Sequence, residues 1–132
     1  MTIQEIEEKL PNGFHDAEIE DINLNFVNKL ARIDLNIWIG DIKDPEKYQK
    51  ARLYFTDFLF LSIEPPYEKT YFLNTLTVDL ESNDDDILDK YESFKVLKKF
   101  LPEGYLITCF VLLNHDTLMY FVAKDVKFEW IQ

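Results

Sequence analysis

Two neighbouring stretches of strict alternation constrain this chain more than any other feature. Ile22, Leu24 and Phe26 alternate with Asn23 and Asn25, and Ala31, Ile33, Leu35 and Ile37 alternate with Arg32, Asp34 and Asn36. A period of two sends successive side chains to opposite faces, so both stretches read as half-buried strands. With Asn28-Lys29 as the turn, Phe26 faces Ala31, Leu24 faces Ile33 and Ile22 faces Leu35, while Asn25 faces Arg32 and Asn23 faces Asp34. Apolar meets apolar at every rung, as a hairpin with one face on a core requires. Upstream, His15, Ala17 and Ile19 carry the opposite parity. A one-residue slip near Glu20-Asp21 accounts for this, either as a β-bulge or as a break between two strands.

The remaining patterns extend the sheet. Ala51 to Ile63 is apolar on both parities around Thr56-Asp57, giving two strand segments or one long bent strand closed by Pro65-Pro66. Leu76, Val78 and Leu80 alternate with Thr77, Asp79 and Glu81. Tyr105 to Leu113 and Thr117 to Ala123 form a second hairpin around Asn114-His115-Asp116, apolar on both faces and therefore central. Val126, Phe128 and Trp130 make a last, half-exposed strand, and Gly40 to Lys50 is a polar loop. Two helices complete the chain. Thr2 and Glu5 form a capping box ahead of Ile3, Ile6 and Leu10, and Pro11-Asn12-Gly13 ends that first helix. A longer helix is expected near 84–101, with Ser82-Asn83 as N-cap, Asp84, Asp85 and Asp86 in its first turn, and Lys95, Lys98 and Lys99 in its last. A break near Asp89-Lys90 is compatible with the spacing. The fold class is α+β: one domain, 1–132, on a mainly antiparallel sheet of about six to eight strands, strongly curved or barrel-like.

Composition limits the function classes. The chain carries a formal charge of −11, which argues against nucleic acid and against an anionic membrane surface as partners. The same field attracts and steers a basic protein, although acidity also serves solubility alone. Only three glycines are present, so no phosphate-cradling loop is expected, and no apolar run approaches bilayer length. The stretch Met1-Thr2-Ile3-Gln4-Glu5 lacks the basic start of a signal peptide, and one cysteine, Cys109, has no internal disulfide partner. A reducing cytoplasmic setting follows as the expectation, with the protein a monomer or a homodimer.

No cofactor, metal or catalytic motif emerges. Both histidines precede aspartate, at His15-Asp16 and His115-Asp116, but a His-Asp metal site needs further ligands, and no third histidine exists. His115 reads as a turn residue, and Asp84-Asp85-Asp86 lacks the glycine and closing glutamate of a calcium loop. Cys109 reads as core, and no serine sits in a nucleophile elbow. Aromatic residues crowd the middle of the chain: Tyr54, Phe58, Phe60, Tyr67, Tyr71 and Phe72. Such a group suits a core, a homodimer contact, or the aromatic centre of a binding surface, with Tyr54, Tyr67 and Tyr71 as candidate binding residues.

The segment Leu10-Pro11-Asn12-Gly13-Phe14-His15-Asp16-Ala17-Glu18-Ile19 resembles small bacterial proteins with a Phe-His-Asp-Ala (or Ser) element after a short N-terminal helix. Some of these are regarded as immunity proteins of polymorphic toxin systems. Phe121-Val122-Ala123-Lys124-Asp125-Val126 is similar to the closing strand of such proteins. The clear match covers Phe14 to Ala17. The resemblance implies a sheet-rich α+β domain that binds and blocks a cognate toxin, and it marks Phe14, His15 and Asp16 as special. Two uses of His15 and Asp16 stay open: bonding backbone at the helix-to-strand junction, or serving a ligand, metal or catalytic site.

Overall fold

In the computed structural model, residues 1–64, 76–80, 88–113 and 117–132 are described, the side chain of Leu76 excepted. Helix α1 (Ile3–Glu8) is closed by the expected capping box of Thr2 and Glu5 and buries Ile3 and Ile6. The strands are β1 (Ala17–Asn25), β2 (Leu30–Trp38), β3 (Tyr48–Thr56), β4 (Phe60–Ile63), β5 (Leu76–Leu80), β6 (Leu106–Leu112), β7 (Thr117–Ala123) and β8 (Asp125–Trp130), with helix α2 (Glu92–Lys99) between β5 and β6. All pair antiparallel in one eight-stranded sheet, ordered β4-β7-β6-β5-β1-β2-β3-β8. Among the described residues no helix is long and apolar enough to cross a membrane.

The sheet curls without closing. β4 continues the path of β3 past Asp57, whose φ of 52° breaks the strand, and β8 continues that of β7 past Lys124. β3 pairs with β8 and β4 with β7, so the two broken strands bend together. Lys124 N–H donates to the Thr56 carbonyl at 3.1 Å, and Leu59 N–H to the Val122 carbonyl at 2.9 Å, at that bend. The barrel alternative is corrected to a strongly curved, unclosed sheet: β4 and β8 end the strand order, each with one hydrogen-bonded neighbour.

The hairpin of β1 and β2 keeps the expected faces but not the expected register. Leu24 faces Ala31 and Ile22 faces Ile33, a slip of two residues. The turn spans Phe26 to Lys29, where Lys29 takes φ 54° and Asn28 N–H donates to Asn25 Oδ1 at 2.9 Å. Phe26 is left 67% exposed. The bulge between Ile19 and Asp21 is present. β3 begins at Tyr48, inside the stretch expected to be loop.

The concave face holds the main core, with Ile33, Leu35, Leu53, Phe55, Phe110 and Phe121 at its centre, closed by Ile3, Ile6, Leu10 and Phe14. On the other side of β6 and β7, Leu88 and Phe94 cover Cys109, Leu118 and Tyr120. These two strands are thus buried on both faces, as their unbroken apolar sequences require. The helix expected near 84–101 is broken at Asp89-Lys90, where the spacing allowed a break, and α2 restarts at Glu92 with Tyr91 as its N-cap. Ser82, Asn83, the Asp84-Asp86 run and the Asn114-His115-Asp116 turn lie outside the described residues.

Candidate functional site

The junction between α1 and β1 delivers two polar side chains to the outer face. Gly13 (φ 56°) and Asp16 (φ 55°) reverse the chain, and Phe14 between them is fully buried, edge-on to Phe110 at 5.7 Å. Asn12 Nδ2 donates to the Gly40 carbonyl at 2.8 Å and the Trp38 carbonyl at 3.2 Å, pinning the turn to the end of β2. With Phe14 inside, His15 points out and its side chain is 56% exposed.

Sheet pairing sets what surrounds that imidazole. Thr77, Glu18, Asn36 and Lys50 form one row across β5, β1, β2 and β3. Two residues along, on the same face, lie Asp79 of β5 and Trp38 and Tyr48 of β2 and β3, with Asp16 just ahead of β1. Trp38 and Tyr48 are directly paired, and Asn36 Nδ2 donates to Glu18 Oε1 at 3.4 Å. The His15 Nδ1 atom is 3.2 Å from Asp79 Oδ2, Nε2 is 3.3 Å from Asp16 Oδ2, and the ring lies 6.0 Å from that of Trp38.

A neutral imidazole can donate from one nitrogen only, whereas both nitrogens here meet carboxylate oxygens. The His15 pKa is accordingly raised, chiefly by the hydrogen bond with Asp79, against slight desolvation, with the charge of Asp16 adding to it. The Tyr48 phenol is also pushed up, first by burial and then by the Glu18 and Asp16 charges, which places it within their field. Chemically the site is an anionic patch with aromatic walls. Among the described residues no group of three or more His, Cys, Asp or Glu is placed to share a metal ion.

The other candidates lie elsewhere. Tyr54 is on the same sheet face but six residues along β3 from Tyr48, about 20 Å at the usual strand rise. Its hydroxyl donates to Glu129 Oε1 at 2.8 Å beside Arg52, whose Nε donates to Asp34 at 2.7 Å. That network is a cross-strand polar lattice. Phe14, being fully buried, offers a partner no surface, and Tyr67 and Tyr71 lie outside the described residues. Asp79, Glu18, Trp38 and Tyr48 escaped the sequence reading. Asp79 falls on the polar side of an alternating strand, but only the pairing of β5 with β1 brings it to His15. Comparison of the chain with protein families, curated proteins and solved structures finds no match.

Proposed function

We infer that this is a non-catalytic binding protein whose outer face around His15 docks a basic protein, as an immunity-type inhibitor of a basic toxin would. The observation that carries the reading is the convergence of Asp16, Glu18 and Asp79 beside Trp38 and Tyr48. A lysine ammonium or arginine guanidinium gains charge-assisted hydrogen bonds from such carboxylates and a cation–π contact from Trp38. The formal charge of −11 adds long-range steering toward the same class of partner. A cytoplasmic setting fits this use, since the buried Cys109 thiol stays reduced there.

Titration of isotope-labelled protein with an oligo-arginine peptide tests the reading. The largest shifts are expected at His15, Asp16, Glu18, the Trp38 indole and Asp79, with affinity falling as salt is added. Asp16→Asn with Asp79→Asn should abolish that localised response. Shifts spread evenly over all acidic residues, or centred away from His15, would sink the proposal.

A further inference from the structure

The two edges of the sheet differ in chemistry. β8 carries Asp125, Lys127 and Glu129 at alternate positions, the kind of charge that discourages edge-to-edge pairing. β4 carries none: from Phe58 to Ile63 the chain reads Phe-Leu-Phe-Leu-Ser-Ile, without charge or proline. Its pairing with β7 is regular, without a bulge. Glu64 N–H donates to the Leu118 carbonyl at 3.0 Å in the same register, so Phe60 and Ser62 turn their main-chain groups toward β7. The N–H and C=O groups of Leu61 and Ile63 therefore face the other way. Among the described residues no strand pairs with that side.

The outer face of β4 is equally bare. α2 covers β6 and β7 but stops short of β4, leaving a cleft of about 710 Å³ floored by Phe60, Ser62 and Tyr120 and walled by Val96 and Phe100. Phe60 is 45% and Phe100 77% exposed. Among the described residues Glu92 is the one charged residue lining the cleft, and Lys95 Nζ stands 3.5 Å from its carboxylate.

Charge selects the occupant. Among the described residues the cleft offers a basic partner only the Glu92 carboxylate, already beside Lys95, whereas two copies at −11 each repel least where their surfaces are uncharged. An uncharged extended segment is what the open side of β4 accepts, and β4 is itself such a segment. The geometry points to a second copy of this chain, with β4 pairing antiparallel to β4 of that copy about a two-fold axis at Ser62. Leu61 then exchanges main-chain hydrogen bonds with Ile63 of the second copy, and the reverse, giving an isologous interface. The two clefts merge into one apolar trough in which Phe60 and Phe100 lose their exposure. The face around His15 lies on other strands and stays open to its own partner.

Sedimentation over a concentration series, with disulfide trapping, tests this. Ser62 would sit on the axis as a non-hydrogen-bonded pair, with Cα atoms about 4.5 Å apart, within disulfide range. Oxidised Ser62→Cys should therefore run as a covalent dimer, while Cys109 is buried and does not compete. Phe60→Lys should weaken the dimer about tenfold or more with the melting temperature kept, and Trp130→Lys on the β8 edge should leave it unchanged. A protein monomeric up to about 1 mM whose Ser62→Cys variant forms no covalent dimer overturns the proposal. So does a dimer that Trp130→Lys dissociates and Phe60→Lys does not. If Phe60→Lys fails to fold, trapping through Ser62→Cys decides.

Discussion

The ring of Phe55 lies flat on that of Phe121, with 4.6 Å between centroids and 6° between planes. Phe55 belongs to β3 and Phe121 to β7, which are not hydrogen-bonded neighbours, so the stack joins the two arms of the curled sheet. Phe110 meets Phe121 edge-on at 6.4 Å, and Phe14 meets Phe110 in turn, so the rings run from that stack to the α1–β1 junction. Phe121→Ala should cost about 3–5 kcal/mol, because the cavity would sit where both arms meet and neither can collapse into it. Urea unfolding should show a lower midpoint with little change in slope.

Asn12 holds the turn that presents His15. Its side-chain amide serves two main-chain carbonyls, those of Trp38 and Gly40. Asn12→Ala should destabilise by about 1–3 kcal/mol, since part-buried acceptors lose their donor. Trp38 fluorescence should shift as the end of β2 loosens. An unchanged spectrum and midpoint would show that the turn is held by Phe14 alone.

The raised pKa of His15 has a defined sign. Because the folded value lies above the ordinary one of about 6.5, the contact with Asp79 stabilises the fold fully below that pH, and the gain is lost as pH rises through the folded value. Exposure of the ring keeps the effect on stability small. In an NMR titration Asp79→Asn should bring the His15 midpoint down toward the ordinary value. A protonated His15 also competes for the carboxylates that an arginine would use, so oligo-arginine should bind more tightly above the His15 midpoint than below it. Binding that weakens on deprotonation would contradict the site.

Gly40 is required for space. A Cβ there would collide with the carbonyl oxygen of Asp44 and press on the Trp38 indole nitrogen at 3.0 Å. Backbone on one side and a half-buried ring on the other leave no cheap relief, so Gly40→Ala should cost more than about 1 kcal/mol. Thermal unfolding measures it, and a neutral result would mean that the Asp41–Asp44 turn moves freely.

Alternation alone placed the faces of β1, β2, β5 and β8, because a period of two is a local property of each strand. It could not place their register: sliding β1 by two residues past β2 still sets apolar against apolar, at the expense of Phe26 alone, and the Phe26–Lys29 turn geometry chose between them. The capping box of α1, the bulge between Ile19 and Asp21 and the two-sided burial of β6 and β7 were likewise written in nearby residues. The break at Asp89-Lys90 was compatible with the sequence, but the apolar spacing runs through it, so it took the folded chain to place the restart of α2 at Glu92.

The surroundings of His15 depended on tertiary structure almost entirely. Sequence supplied the His15-Asp16 pair, but Asp79 lies 64 residues from His15 and arrives only because β5 pairs with β1. Trp38 and Tyr48 arrive through the β2–β3 ladder. Which strands become neighbours is decided by how the whole sheet curls to enclose Phe55, Phe110 and Phe121, a property of the assembled core that no window of sequence contains.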